Sequence, residues 1–208
     1  VVMRDIRKKI GLVFQYPEYQ LFEETVAKDV AFGPANLGLS EAEIDECVKE
    51  AIEMVGLDYE KVKNVSPFEL SGGQKRRAAI AGVIAMKPEV LILDEPTAGL
   101  NPKAHADILN MVETIHRKSK NIIFLVSHNM NDIARMSDKV LVMNHGRLVM
   151  DGTPAEVFSR EEELKSMGLA LPDSMEIMMR LKKAGMDINT DCLTMDEAAE
   201  EIAKVLAK

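Results

Sequence analysis

The chain has 208 residues, of which 47% are hydrophobic and 29% are charged, and this balance argues against disorder and favours an ordinary globular protein. A formal net charge of -8 argues against a nucleic-acid-binding protein, which normally presents a basic face. The two cysteines, Cys47 and Cys192, lie outside any CxxC or Cys/His spacing, so the sequence predicts neither a zinc site nor a disulfide framework. A reducing cytosol fits this cysteine usage best.

The first nine residues mix basic and acidic side chains and do not resemble a signal peptide. No apolar run approaches the ~20 residues that a membrane-spanning helix needs. The chain lacks an initiator methionine and reaches a strand-like apolar run, 10–14, almost at once. Together these features predict a fragment whose N-terminal part is missing.

The first part of the chain is predicted to contain one strand and a helical subdomain. The run 10–14 is short, apolar and bounded by charge, which favours a buried strand. From 22 to 57 the pattern becomes helical, and Ser40 with Glu43 forms a capping box ahead of apolar residues that share one helix face. Residues 21–86 are therefore interpreted as a helical subdomain.

The middle of the chain alternates between strand-like and helical patterns. Apolar runs at 90–93 and 122–126 predict strands, and the stretch 102–118 between them is compatible with a helix. This alternation predicts a parallel α/β sheet. The runs 140–143 and 147–150 then predict a β-hairpin, and we expect the sheet to close there.

The residues after 158 form a charged, helical tail. One helix is predicted around 174–183, and a second follows the capping box of Thr194 and Glu197. We interpret this tail as a small helical extension of the preceding domain.

A glycine motif precedes a helical stretch in the predicted subdomain. The two adjacent glycines of the segment Leu70–Gln74 let the backbone approach an anion closely. A helix N-terminus behind them presents free N–H groups and a partial positive charge, which suits a phosphate. A bare SGG triplet is more often a flexible turn, but the complete string 70–77 ahead of a strand ending in Asp-Glu favours phosphate binding. No segment of the chain matches the phosphate-loop pattern GxxxxGK[ST].

Two carboxylates, Asp94 and Glu95, end the strand predicted at 90–93. Open α/β sheets build their ligand sites at the C-terminal ends of strands. Asp94 is expected to hold Mg²⁺ directly or through water, and Glu95 to orient or deprotonate an attacking water. An ordinary polar strand end before Pro96 is the rival interpretation, and the glycine motif makes it the weaker one.

Gln15 and His128 follow the other two predicted strands of the sheet. At this edge the imidazole of His128 can donate to a γ-phosphate oxygen and help to place the water. Gln15 is expected to contact Mg²⁺ or the same water. A lone histidine is more often an ordinary satisfied or solvated side chain, but the position of His128 at the end of a parallel strand favours function. A glutamine at a strand end means little alone, so the weight of Gln15 comes from the carboxylates, His128 and the glycine motif.

The order of these residues resembles that of ABC-type ATPases. In that family's terms Gln15 begins the Q-loop, Ser71, Gly72, Gly73 and Gln74 form the signature, Asp94 and Glu95 end Walker B, and His128 is the switch histidine. The segments 13–26 and 31–34 and the helical tail more narrowly resemble the ATP-binding subunit, or A component, of an energy-coupling factor transporter.

This resemblance implies an α/β fold of the P-loop NTPase type, with a largely parallel sheet and a helical signature subdomain. Residues 1–158 would form a partial ABC ATPase domain, and residues 159–208 a C-terminal helical extension. The N-terminal strands and the phosphate loop of the family are missing from the sequence.

The resemblance further implies that two identical or homologous subunits pair head to tail around ATP and Mg²⁺. The signature residues would contact the nucleotide held by the partner's phosphate loop, while Asp94, Glu95, Gln15 and His128 serve their own side. ATP-driven closure would push on a membrane T component, which works with a substrate-binding S component to import vitamins or transition-metal ions. The subunit would lie peripherally at the cytoplasmic face of the cell membrane, and no nucleic acid is expected as a partner.

Four further residues carry expectations from the resemblance. Glu18, Glu23 and Glu24 lie beside the Q-loop and are expected to meet basic helices of the membrane component, although a solvated acidic face carries equal weight. Asn101 stands where the D-loop of the family usually has aspartate. The amide removes a charge at the dimer interface, and the sequence leaves its effect on coupling open.

Because the other catalytic residues of the family remain in place, we expect an intact parent to hydrolyse ATP. Because the phosphate loop is missing, we expect that these 208 residues alone do not. One alternative is a non-catalytic partner that contributes only its signature face. Another is a soluble ABC ATPase acting on DNA or in translation. Those proteins normally carry a coiled coil or a duplicated ATPase, and neither pattern fits this chain.

Overall fold

The computed structural model describes residues 3–207, with side chains from residue 6 onward, and the chain divides after Val126 into two units. The prediction that the first nine residues are not a signal peptide rests partly on the side chains of residues 1–5, which the structure does not describe. The N-terminal unit contains α1 (Met3–Lys9), β1 (Ile10–Val13), α2 (Val26–Leu37), α3 (Glu41–Met54), α4 (Tyr59–Val62), α5 (Gly72–Ile84), β2 (Val90–Asp94), α6 (Pro102–Ser119) and β3 (Ile122–Val126), with 3-10 turns at Pro17–Gln20 and Pro67–Glu69.

The sheet of the N-terminal unit is parallel, with the strand order β1-β2-β3. Val13 lies opposite Leu93, and Asp94 lies opposite Val126, so the three strands end at the same edge. Short apolar strands separated by helices favour this arrangement, because parallel neighbours need a long crossover connection. The predicted parallel α/β sheet is confirmed.

One face of this sheet is buried and the other is exposed. Val13 and Leu93 are fully buried. Helix α5 lies so close to β1 that a Cβ placed on Gly11 would be 2.7 Å from the side chain of Val83. Leu12, on the opposite face, is 40% exposed. The prediction of a buried first strand therefore holds only for alternate residues, because successive side chains of a strand point to opposite faces.

The predicted helical subdomain consists of α2 to α5, and α2, α3 and α5 pack against one another. Glu43 accepts a hydrogen bond of 2.8 Å from the N–H of Ser40, so the predicted capping box opens α3. The stretch 22–57 is not one helix, because Gly38 ends α2 in the left-handed conformation with φ of 83°.

The C-terminal unit contains α7 (Met130–Met136), β4 (Val140–Asn144), β5 (Arg147–Gly152), α8 (Pro154–Phe158), α9 (Glu161–Ser166), α10 (Asp173–Lys183) and α11 (Met195–Leu206). The predicted hairpin is confirmed, since β4 and β5 pair antiparallel around a turn in which His145 and Gly146 have positive φ. The prediction that this hairpin closes the parallel sheet is wrong. Its strands bond to each other in a separate two-stranded sheet.

Two hydrophobic clusters stabilise the C-terminal unit. The first joins the hairpin to the helices that follow and contains Val142, Met150, Val157, Phe158, Leu164, Leu171 and Met175. The second packs α10 against α11 around Met178 and the free, buried Cys192. Thr194 and Glu197 form the predicted capping box of α11. Because the first cluster extends to both sides of residue 158, the domain boundary at that residue stays a prediction.

None of the helices described between residues 3 and 207 combines the length and the apolar character that crossing a membrane requires.

Candidate functional site

Gln15, Asp94 and Glu95 lie at one edge of the parallel sheet. Strands β1 and β2 pair in register up to Val13 and Leu93, so Gln15 and Glu95 each follow by two positions. Neighbouring strands are ~4.8 Å apart, which brings the two loop starts together. The N–H of Glu95 also donates a hydrogen bond of 3.0 Å to the last carbonyl of β3. The structure therefore brings these three predicted residues to a common edge.

The backbone is strained directly at this edge. Tyr16 and Glu95 have φ values of 56° and 48°, in the left-handed region that side chains other than glycine rarely adopt. Such a conformation costs about 1 kcal/mol or more and persists where the surroundings fix it. For Glu95 the bond to β3 and a hydrogen bond of 3.1 Å from the N–H of Ala98 to the Glu95 carbonyl supply that constraint.

Asn101 has a structural function as the N-cap of α6. Its side-chain oxygen accepts a hydrogen bond of 3.0 Å from the N–H of Ala104. Asparagine and aspartate are about equally good at this position. The amide therefore preserves the helix start that an aspartate would provide, and its influence on a dimer interface stays a prediction.

The signature residues form the N-terminus of α5. Ser71 is the N-cap, and its hydroxyl accepts a hydrogen bond from the N–H of Gln74, whose side-chain oxygen accepts one of 3.1 Å from the N–H of Ser71. Within the described part of the chain, a Cβ added to Gly72 or Gly73 would meet no atom within 4 Å outside its chain neighbours and the backbone of α5. The space beside this helix start is therefore open, and a helix N-terminus suits an incoming phosphate.

The reciprocal bond of Gln74 was missed from the sequence, although the S-x-x-Q spacing of a capping box is visible there. The sequence assigned Gln74 to nucleotide contact alone. In the structure its side chain also closes the helix start, which holds the backbone of Gly72 and Gly73 in place.

Arg76 is a further residue of this region that the sequence did not single out. Its side chain is only 2% exposed, and Nε and Nη2 donate hydrogen bonds of 3.0 and 2.8 Å to the two carboxylate oxygens of Glu18. Nη1 donates to the carbonyls of Pro96 at 3.1 Å and Ala98 at 2.8 Å. No local pattern reveals this role, because Glu18 is 58 residues away along the chain.

The three acidic residues beside the Q-loop occupy different environments. Burial raises the pKa of Glu18, but the hydrogen bonding of Arg76, a backbone hydrogen bond and the charge of Arg76 together outweigh burial, so the pKa lies below its ordinary value. Glu24 is exposed and pairs with Lys28 at 2.6 Å. Glu23 is half-buried, and its N–H donates to Asp29 at 2.9 Å. Their proposed contact with a membrane component stays a prediction.

A groove of about 630 Å³ lies beside these residues in the N-terminal unit. Phe22 and Phe32 line it as an edge-to-face pair, with ring centroids 5.0 Å apart, and both side chains are at least half exposed. Asp29, Gln20 and Arg7 also line the groove, and Met86 of the segment after α5 lies along it. Exposed aromatic rings beside charged residues of both signs are typical of a surface that receives a partner segment.

His128 belongs to the C-terminal unit and is exposed. It lies between Ser127 and Asn129, and the N–H of Asn129 donates a hydrogen bond of 3.0 Å to the Ser127 hydroxyl. Asn129 is the N-cap of α7, so the segment around His128 is anchored by a helix start. The role of His128 at a γ-phosphate stays a prediction.

The sheet edge fits a Mg²⁺ ion that arrives with a nucleotide. Asp94 is half-buried and supplies a carboxylate, and Gln15, which carries an amide oxygen, follows the neighbouring strand at the same edge. Proteins commonly hold Mg²⁺ through one or two such oxygens, with phosphates and water completing the octahedron. Among the side chains that the structure describes, no group of three or more His, Cys, Asp or Glu residues forms a dedicated metal cage.

Comparison with known proteins identifies close relatives. The family model described as "ABC transporter" matches residues 2–98. The energy-coupling factor transporter ATP-binding protein EcfA2 of Caldanaerobacter subterraneus subsp. tengcongensis is 58% identical over 206 residues, which are 99% of this chain and 72% of that protein. EcfA2 of Clostridioides difficile is 57% identical over 205 residues, 98% of this chain and 71% of that protein.

Two solved structures share the fold. The structure of cbiO1 from Clostridium perfringens, described as part of the ABC transporter complex cbiONQ, has a TM-score of 0.69 and 37% identity and covers 88% of this chain and 68% of its own. A dimeric ATP-binding cassette in a post-hydrolysis state, bound to ADP and Pi, has a TM-score of 0.60 at 24% identity and covers 74% of this chain and 68% of its own. The expected α/β ABC ATPase fold is confirmed, and the chain belongs to the energy-coupling factor transporter ATP-binding proteins, within the ABC ATPases.

Proposed function

We propose that this chain is the ATP-binding and ATP-hydrolysing subunit of an energy-coupling factor transporter that imports vitamins or transition-metal ions. A membrane T component and a substrate-binding S component would form the rest of the transporter. The observation that carries the proposal is the capped N-terminus of α5, where Ser71 is exposed and open space lies beside Gly72 and Gly73. This surface is suited to a phosphate group presented by another subunit.

The position of each residue in the chain and at its strand end supports its proposed catalytic role. Glu95 begins the loop after β2 and orients or deprotonates the attacking water, while Asp94 and Gln15 supply oxygens for the metal. His128 donates a hydrogen bond to the transferred phosphate. Mg²⁺, when bound with ATP, neutralises the charge of the phosphates.

The signature face and the sheet edge would act on different nucleotides. In a head-to-tail dimer with an identical or homologous ATPase subunit, Ser71 to Gln74 contact the nucleotide that the partner's phosphate loop holds. Because the 208 residues contain no GxxxxGK[ST] pattern, we propose that they do not turn over ATP alone. ATP turnover by the purified chain that Glu95→Gln abolishes would contradict this part of the proposal.

The groove beside the Q-loop is the proposed contact with the T component. Exposed rings of Phe22 and Phe32 offer apolar area, and Glu23 and Glu24 add negative charge for a basic segment. The carboxylate of Glu18 is bound by Arg76, and Glu18 does not line the groove. The subunit would thus lie peripherally at the cytoplasmic face of the membrane, without a nucleic-acid partner.

A second candidate is a non-catalytic subunit that contributes only its signature face. It is favoured by the contrast between a complete signature and a sequence without a phosphate-loop pattern. The alternative of a soluble ABC ATPase outside transport has weaker support, since the named relatives are transporter proteins.

A mixed-dimer measurement separates these candidates. The chain is assembled with a homologous ATPase subunit and the T component in two versions. In the first version this chain carries Glu95→Gln, and in the second only the partner carries the corresponding change. An active subunit predicts a loss of ATP hydrolysis in both assemblies. A non-catalytic subunit predicts a loss only when the partner is altered.

A further inference from the structure

The buried guanidinium of Arg76 joins three separate segments of the N-terminal unit. Arg76 itself lies on α5, two residues after Gln74 of the signature. Its hydrogen bonds reach Glu18 in the 3-10 turn after Gln15, and the carbonyls of Pro96 and Ala98 in the loop after Glu95. Nε and Nη2 thus bind the turn that follows Gln15, and Nη1 binds the loop that follows Glu95.

Tyr16 adds a second link between the same two segments. Its ring lies 5.7 Å from the Cζ of Arg76, within the range of a cation–π interaction. Gly99, with φ of 72°, lies so close that an added Cβ would be 3.5 Å from Cε1 of Tyr16. The segment that begins at Gln15 and the loop after Glu95 are therefore in contact through a side chain as well as through Arg76.

We propose that Arg76 is a positioning residue, which holds the 16–20 turn and the 95–101 loop in a fixed relation to the signature helix. A displacement of the 16–20 turn is then transmitted through Glu18 and Arg76 to the loop that carries Glu95 at its start and Asn101 at its end. Arg76 acts through these segments and contacts no nucleotide. A test of this role by enzyme kinetics rests on the proposed function, whereas a test by hydrogen–deuterium exchange does not.

The chemistry of the junction requires arginine. A lysine ammonium cannot bind a carboxylate with two parallel hydrogen bonds and also donate to two carbonyls, because it is a compact charge without the fixed fork of a guanidinium. A buried ion pair is also weak evidence for stability, since apolar pairs of similar size are often as stable. The two carbonyl bonds of Arg76, which an apolar pair cannot make, are what a positioning role needs.

Hydrogen–deuterium exchange tests the link in the chain itself. Arg76→Gln is expected to raise amide exchange about tenfold in both 16–20 and 95–101. Glu18→Gln is expected to raise exchange in 95–101 as well, because the orienting partner of the guanidinium is lost. Arg160→Gln is the matched control, since Arg160 makes a bidentate salt bridge with Glu163 at an exposed site. Faster exchange confined to 16–20 in the Glu18 variant overturns the proposal.

Enzyme kinetics distinguish positioning from simple stabilisation. In the assembly with a homologous ATPase subunit and the T component, the double variant Glu18→Met with Arg76→Met replaces the buried pair by apolar side chains. We expect a thermal midpoint close to wild type, a kcat lower by about tenfold and a KM for ATP within about twofold.

If the double methionine variant keeps both the kcat and the thermal midpoint of wild type, the proposal is overturned. A wild-type assembly without ATP hydrolysis refutes the proposed function instead, and the exchange measurement then still decides the role of Arg76. If the double methionine variant does not fold, the single Glu18→Gln variant carries both measurements.

Discussion

The first and second turns of α5 differ in their surroundings. In the first turn Gly72 and Gly73 face open space, and the helix start is closed by Ser71 and Gln74. One turn later Arg76 is buried and donates four hydrogen bonds to other segments. An exposed helix start, which is proposed to contact a phosphate, is therefore followed directly by a turn that is bound to the interior of the unit.

Gly73→Asp tests the open turn and should have the largest effect on function. The new carboxylate would lie where the phosphate is proposed to bind, so ATP hydrolysis in the assembly should fall about a hundredfold. Folding should be unaffected, because a Cβ meets no neighbour there and acidic residues are favourable in a first helical turn. Gly73→Ala adds the Cβ without the charge and should lose less activity. An equal loss in both variants would contradict electrostatic phosphate recognition at this turn.

Arg76→Gln tests the buried turn and should have the largest effect on stability. Removing the cation leaves the Glu18 carboxylate, which is 18% exposed, without its partner. The free energy of unfolding should fall by about 3 kcal/mol, measured by urea denaturation. The matched Arg160→Gln should leave the urea midpoint within experimental error, because its pair is exposed. Equal midpoint shifts in the two variants would contradict the contrast between the sites.

The pH dependence of stability sharpens the same comparison. The pKa of Glu18 lies below its ordinary value of 4.5, so the ionised carboxylate stabilises the folded state above that pH. This contribution is lost as the pH falls below 4.5 through the lowered pKa. Denaturation midpoints at successive pH values below 4.5 should therefore fall less steeply for Glu18→Gln than for wild type. Parallel curves would show that Glu18 contributes nothing to acid sensitivity.

Ser71→Ala should lower the stability of the chain by less than Arg76→Gln does. The hydroxyl that accepts from the N–H of Gln74 is removed, which costs about 1 kcal/mol of unfolding free energy. Thermal denaturation of the chain measures this cost. The neighbouring Gly72 and Gly73 should then exchange their amide hydrogens faster, because the helix start is no longer closed. An unchanged midpoint would show that the capping box is dispensable.

Local patterns predicted most of the fold. The strands at 90–93 and 122–126 are apolar runs between helices, and the capping box at Ser40 follows directly from the S-x-x-E spacing. The hairpin was predicted from its turn, but its separation from the parallel sheet was not. Which edge a hairpin joins depends on tertiary packing, and the sequence of its two strands carries no such information.

The candidate site was predicted only where it is local in sequence. Gln15, Asp94 and Glu95 lie at strand ends, where parallel strands place them at one edge. The role of Arg76 was missed because its partners are 58, 20 and 22 residues away. Glu18 was for the same reason assigned to a surface contact, although its carboxylate is bound inside the unit.

ATP-dependent association is the most direct test of a signature face that completes a composite ATP site. The chain is mixed with a homologous ATPase subunit that carries a phosphate loop and a hydrolysis-blocking substitution of its own catalytic glutamate, and sedimentation is measured with and without Mg²⁺-ATP. We expect ATP to drive heterodimer formation with the wild-type chain and not with Gly73→Asp. Association that is independent of ATP, or equal for both chains, would contradict the proposed role of the α5 N-terminus.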